Sequence, residues 1–137
     1  MALAGGLYAR LGDDTRALQL LRESVLTARD LGLRPSLAAA LDWALSPLRR
    51  TGRPDVAATV LGGLTRGALA GVGNWPGVDS ARARTLERVR AALGDSKTYE
   101  LVAHGATLSY DELVEHAIHH LAQPSDPAPA AGRADEV

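Results

Sequence analysis

Residues 12–21 read GDDTRALQLL and residues 52–61 read GRPDVAATVL, the second stretch repeating the first at an offset of 40. Gly12 answers to Gly52, Ala17 to Ala57 and Leu21 to Leu61. In each copy a glycine, the residue that turns a chain most cheaply, is followed by apolar side chains at helical spacing. A weaker third copy opens at Leu93-Gly94-Asp95, echoing Leu11-Gly12-Asp13. Each copy reads as helix, glycine turn, helix. A lone helix pair cannot bury both of its apolar faces, so such units stack on their neighbours. The fold class this predicts is all-α, a stack of antiparallel helix pairs.

Outward from the repeat, the breaker residues mark about seven helices. The first spans about Ala2 to Leu11. A second, about Thr15 to Leu31, is capped by Asp13 or Asp14 and carries Leu18, Leu21, Val25 and Ala28 on one stripe before stopping at Gly32. Pro35 opens a third, Ser36 to about Arg50, in which Pro47 removes a backbone donor and predicts a kink or an early stop. A fourth runs from about Pro54 to Ala70. Residues 71–77, GVGNWPG, are a loop by every breaker signal. A fifth, Asp79 to Leu93, has Leu86, Val89 and Leu93 inward and four arginines outward. A sixth covers Ser96 to His104. The seventh, Tyr110 to Leu121, has a capping box in Ser109 and Glu112 and a hydrophobic staple in Leu108 and Leu113. One helical domain over 1–122 is expected. From Gln123 to Val137 the chain offers nothing to bury and reads as a disordered tail.

Composition agrees. Of 137 residues, 46% are apolar and 23% charged, but Phe and Cys are absent and there is one Met. Ala and Leu dominate, and both favour helices. A net charge of -1 supplies no overall field for nucleic acid or an anionic membrane. Without Cys there is no disulfide and no thiolate metal site. No stretch is apolar for long enough to span a bilayer, and no signal peptide is visible, so a cytoplasmic location is expected.

The repeat resembles the tetratricopeptide repeat. Counting back from Ala17, Gly5 and Tyr8 fall where that family places its Gly and Tyr, and small residues there let paired helices approach. The second copy keeps Ala57 with Leu45 and Leu48 at the other two positions, and the third has Tyr99 in place of a small residue. A second resemblance rests on an ordered series: Gly62-Gly63-Leu64, a Gly and Pro loop, an Arg-rich helix ending Ala91-Ala92-Leu93-Gly94-Asp95, Tyr99, His104-Gly105, and Leu108 to Leu113. About Leu3 to Leu121 thereby looks like the C-terminal end of large actinobacterial signal-transduction ATPase regulators. These are often linked to a nucleotide-cyclase or a LuxR-type DNA-binding domain. The resemblance implies a helical-repeat sensor region, with the ATPase and cyclase sites on other domains.

Four groups of residues invite chemistry. Gly62, Gly63 and Gly67 suggest a phosphate loop, but Ala68 and Leu69 follow where that motif needs Lys and a hydroxyl, so close helix packing is the expected role. His116, His119 and His120 include an i, i+4 pair suited to a metal. The core stripe of their helix is Tyr110, Leu113, Val114, Ala117, Ile118 and Leu121, which places His116 and His119 on the solvated side. Glu112 and Glu115, four residues before them, offer ordinary helix pairing. Arg82, Arg84, Arg88 and Arg90 make one helix basic. Nucleic-acid binding would need more basic or aromatic surface than accompanies them, so a solvated face is expected. Trp43 lies off the main stripe beside Ala39, Ala40 and Pro47, packed against the next repeat or, if exposed in a groove, an anchor for a partner. Trp75 carries the same ambiguity.

No nucleophile, base and orienting group stand together, and no cofactor or metal is implied. The expected function is a non-catalytic protein-interaction or sensor module of a bacterial signalling or transcriptional regulator. Trp43, Trp75, Arg82, Arg84 and Arg88 are its candidate partner contacts. The partner would be another protein, an N-terminal regulator domain or a second copy. The rival readings are a small metal-dependent enzyme built on His116, His119 and His120, and nucleic-acid binding through Arg82 to Arg90.

Overall fold

Gly32 and Gly52 carry out the same turn twice. Both have positive φ, 70° and 82°, a conformation that a β-carbon disfavours. At the first, the N–H of Gly32 donates to the carbonyl of Arg29 (3.2 Å) and that of Leu33 to Ala28 (2.8 Å). At the second, Gly52 donates to Arg49 (3.2 Å) and Arg53 to Leu48 (2.9 Å). This is the Schellman pattern, which satisfies the last carbonyls of a helix while reversing the chain.

The computed structural model describes residues 13–73 and 75–122. The first expected helix, with Gly5 and Tyr8, and the tail from Gln123 lie outside the described residues. Among the described residues there are six helices and no strand: α1 (Asp14–Leu31), α2 (Arg34–Arg50), α3 (Pro54–Thr65), α4 (Val78–Leu93), α5 (Asp95–Thr107) and α6 (Tyr110–Ala122). None is long and apolar enough to cross a membrane. The correspondence at an offset of 40 holds in burial: Ala17, Ala57 and Leu21 are fully buried and Leu61 is 3% exposed.

Asp13 caps α1, its carboxylate accepting from the N–H of Arg16 at 3.1 Å. Pro47 does not stop α2 early. The helix continues to Arg50, and both the N–H and the hydroxyl of Thr51 donate to the Pro47 carbonyl, at 3.0 and 2.8 Å. α3, in contrast, ends five residues sooner than expected. Arg66 leaves helical geometry at φ -133°, and the N–H of Leu69 reaches back to the Gly63 carbonyl at 3.1 Å. Leu69 is fully buried all the same. Its apolar periodicity is therefore met by a turn, which the pattern alone cannot distinguish from another helical turn.

Every residue from Val56 to Leu64 is buried, as befits a helix surrounded by protein. α3 packs against α2, α4, α5 and α6. Its contact with α5 is made at the backbone: a β-carbon at Gly62 would overlap the Val102 carbonyl, and one at Gly105 would overlap the Thr59 carbonyl. One β-carbon at Gly63 would collide with Leu113, and one at Gly67 would come within 3.1 Å of the Ala106 Cα. The three glycines that suggested a phosphate loop thus serve close packing. α6 packs on α1 and α3. Its start carries the expected capping box, with the Ser109 N–H donating to Glu112 (2.9 Å) and the Glu112 N–H to the Ser109 hydroxyl (3.1 Å). The Arg34 guanidinium sits 3.8 Å over the Tyr110 ring, Arg29 pairs with Glu115 at 3.1 Å, and Arg53 donates to the carbonyl of His120.

Gly105→Ala forces apart two backbones that have no side chain to rotate away. It is expected to lower stability by about 3 kcal/mol, the upper range for overpacking a core. Urea denaturation followed by helical circular dichroism measures this, and a loss below ~1 kcal/mol would contradict the close crossing.

Candidate functional site

On α4 the inward positions follow the helical sequence Val78, Arg82, Thr85, Val89, all buried. An arginine on that stripe requires a compensating charge, because a buried unpaired guanidinium is costly. Asp42 of α2 provides it. Arg82 Nε and Nη2 donate to the two carboxylate oxygens of Asp42 at 2.9 and 2.7 Å, a fork-to-fork pair with both side chains about nine-tenths buried. Burial pushes the Asp42 carboxyl above its ordinary range against the opposing pull of Arg82, while the hydrogen bond to Asp42 holds the guanidinium charged. The pair joins α2 to α4 and corrects the expectation that all four arginines of α4 face outward.

Above this pair a cleft of about 270 Å3 opens between the two helices. From α2 it is lined by Asp42, Trp43, Leu45, Ser46 and Arg50, from α4 by Val78, Ala81, Arg82, Arg84, Thr85 and Arg88, and from the intervening loop by Trp75. Trp43, Trp75, Arg82, Arg84 and Arg88, singled out separately in the sequence, therefore meet in one place. Both tryptophans are half-buried, so each is packed on one side and open on the other. Asp42 and Arg50 went unnoticed in the sequence. The signal for Asp42 was Arg82 itself, an arginine at a core position.

The charges of the cleft are unevenly balanced. Arg82 is neutralised by Asp42, and Arg50 by Asp14 of α1 through contacts of 2.8 to 3.2 Å. Arg84 and Arg88 are exposed and make no ion pair among the described residues. Arg49 lies close enough to Arg88 and Arg50 for their charges, after burial, to push its guanidinium below the ordinary value. Arg90 is engaged elsewhere, with Asp95 at 2.9 Å and Glu87 at 3.1 Å. The basic helix is thus divided among a buried clamp, a local surface network and two unneutralised cations on the cleft wall.

The histidines are placed differently from the expectation. His119 is exposed, but His116 is half-buried, its Nε2 shielded and without a hydrogen-bond partner. Its ring lies 4.5 Å from that of His120, centroid to centroid. Burial first, then the charges of His120, His104 and His119, lower its pKa to about 4, against a small opposing effect of Asp55. A single core stripe places His116 on a solvated side, whereas α6 packs on both α1 and α3. The pairing expected from Glu112 and Glu115 is also replaced, the first serving the cap and the second reaching Arg29. Among the described residues no group of three or more His, Cys, Asp or Glu could hold a metal ion.

No protein-family model, no curated protein and no solved structure matches the chain.

Asp42→Ala leaves Arg82 buried without its carboxylate and is expected to cost about 3 kcal/mol. Asp14→Ala at the more exposed pair should cost below ~1 kcal/mol. Equal losses on urea denaturation would refute the clamp. For His116 the folded pKa lies below the unfolded value of about 6.5, so the unfolded chain binds the extra proton. Stability is then whole above pH 6.5 and is lost as pH falls towards 4. With the ring half in solvent, screening reduces this loss to about 1–2 kcal/mol. His116→Gln should flatten that part of the stability–pH curve, and an unchanged slope would contradict the assignment.

Proposed function

We propose that this chain is a non-catalytic interaction and sensor module, and that the cleft between α2 and α4 is its recognition site. One observation carries the reading: a single cleft gathers two half-buried tryptophans and two arginines without counter-charges. Trp and Arg are the side chains that concentrate binding energy at recognition surfaces. The groups lining the cleft suit binding better than turnover. None is His, Cys or Lys, arginine does not give up its proton in proteins, and the one lining carboxylate is committed to Arg82.

The module belongs, on this proposal, to the tetratricopeptide-like class of helix-pair arrays. Support comes from the offset of 40 and from the shared burial of the corresponding pairs Ala17 and Ala57, Leu21 and Leu61. α6, packed on α1 and α3, ties together the two helices that carry the repeated stretches. Its setting would be the one the sequence resemblance implies, a bacterial signalling or transcriptional regulator. The division of the α4 arginines favours a localised anionic partner over the long phosphate track of a nucleic acid, which calls for an extended basic stripe.

Arg84→Glu combined with Arg88→Glu reverses both free charges at exposed positions and should leave the helical melting curve unchanged. In quantitative affinity purification from the source cell, at least one protein or regulator domain should be recovered about tenfold less by this variant, the scale of losing charge-assisted contacts. Equal recovery of every bound species by both forms would defeat the proposal.

A further inference from the structure

We infer that the cleft takes a small planar organic anion, a single aromatic ring bearing a carboxylate, with the ring against Trp43 and Trp75 and the carboxylate at Arg84 and Arg88. The inference rests on the sensor reading above and gives it a ligand class. Size argues first. A cavity of about 270 Å3 falls just below the ~300–1,000 Å3 typical of small-molecule sites. A space of that size holds one ring and a substituent.

Charge argues second. Because Asp42 neutralises Arg82 and Asp14 neutralises Arg50, the cleft's unsatisfied charge is confined to one wall. Arg84 and Arg88 stand there four residues apart, hence neighbours on one helix face. Two adjacent guanidiniums form a fork for the paired oxygens of a carboxylate. Arg49, whose Nε is buried without a partner, adds positive potential nearby, as its response to Arg88 shows. Shape argues third. The two indoles are large flat surfaces, each partly open, that favour an aromatic ring over a spherical oxyanion.

The chain has only two tryptophans, Trp43 and Trp75, and both line the cleft, so tryptophan emission, excited at the red edge where tyrosine does not absorb, reads this site alone. Titration of the full chain with benzoate should change that emission saturably. Benzamide, the neutral isostere, should bind about tenfold more weakly or less, the factor a charge-assisted contact supplies. Acetate and inorganic phosphate, lacking the ring, should give no saturable change at benzoate's concentrations. Arg88→Glu should abolish the benzoate response while keeping the wild-type melting curve. Equal affinity for benzoate and benzamide, an equal response to acetate or phosphate, or an unaltered response in Arg88→Glu would each overturn the inference. A silent benzoate titration alongside a saturable response to an Asp- and Glu-rich peptide would also overturn it. That outcome would leave the interaction module standing with a protein partner. Should benzoate and the peptide both be silent, and the charge-reversed double variant recover the same proteins as wild type, the module reading falls too.

Discussion

The close approach of α3 and α5 at Gly62 and Gly105 is the constraint around which the other helices are arranged. Each glycine faces a carbonyl of the opposite helix, that of Val102 or of Thr59. The two backbones therefore meet without an intervening side chain, at a separation that permits weak Cα–H···O contacts and many dispersion contacts. This is a different way of packing helices from the leucine stripes of α1 and α2, where the side chains interlock. Because α5 is held so close, Gly63 meets Leu113 and brings α6 onto the same helix. α4, joined to α5 through Gly94 alone, is carried to its place beside α3. The gap that remains between α4 and α2 is the cleft.

That gap is kept at a defined width by Arg82 and Asp42. A buried ion pair contributes little net stability after desolvation, yet it has strict geometry, since both forks must align. Because the two charges cancel, the clamp gives the cleft a neutral lining at Arg82 and Asp42. The basic character of the site then comes from its rim, where Arg84 and Arg88 face solvent.

The helical architecture was legible because its signals are local. Asp13, Gly32, Pro35, Pro54 and the Ser109–Glu112 box act within one turn of the helix ends they mark, and the structure places those ends within two residues of expectation. What was misjudged depended on neighbours distant in sequence. Leu69 continued an apolar rhythm that a turn satisfies equally well. Arg82 sat on the inward stripe of α4, but an arginine read in isolation is assigned to solvent, and its partner Asp42 lies on another helix. His116 was placed by assuming one buried face for α6, although that helix has two neighbours. In the sequence the five candidate contact residues stand apart, each an aromatic or basic side chain on its own. That they line one cleft follows from the docking of α4 against α2, which no local pattern encodes.

Glycine serves the fold through two unrelated properties. At Gly62 and Gly105 the requirement is volume. At Gly32 and Gly52 nothing lies within 4 Å of where a β-carbon would stand, and the requirement is handedness, since their positive φ values are those a D-amino acid prefers. The two turns could therefore be written in the opposite chirality. A D-alanine at either position would rest in its own preferred backbone region and would restrict the unfolded chain more than glycine does. Chemical synthesis of the chain makes that comparison measurable, and it separates the turns, whose constraint is stereochemical, from the crossing of α3 and α5, whose constraint is space.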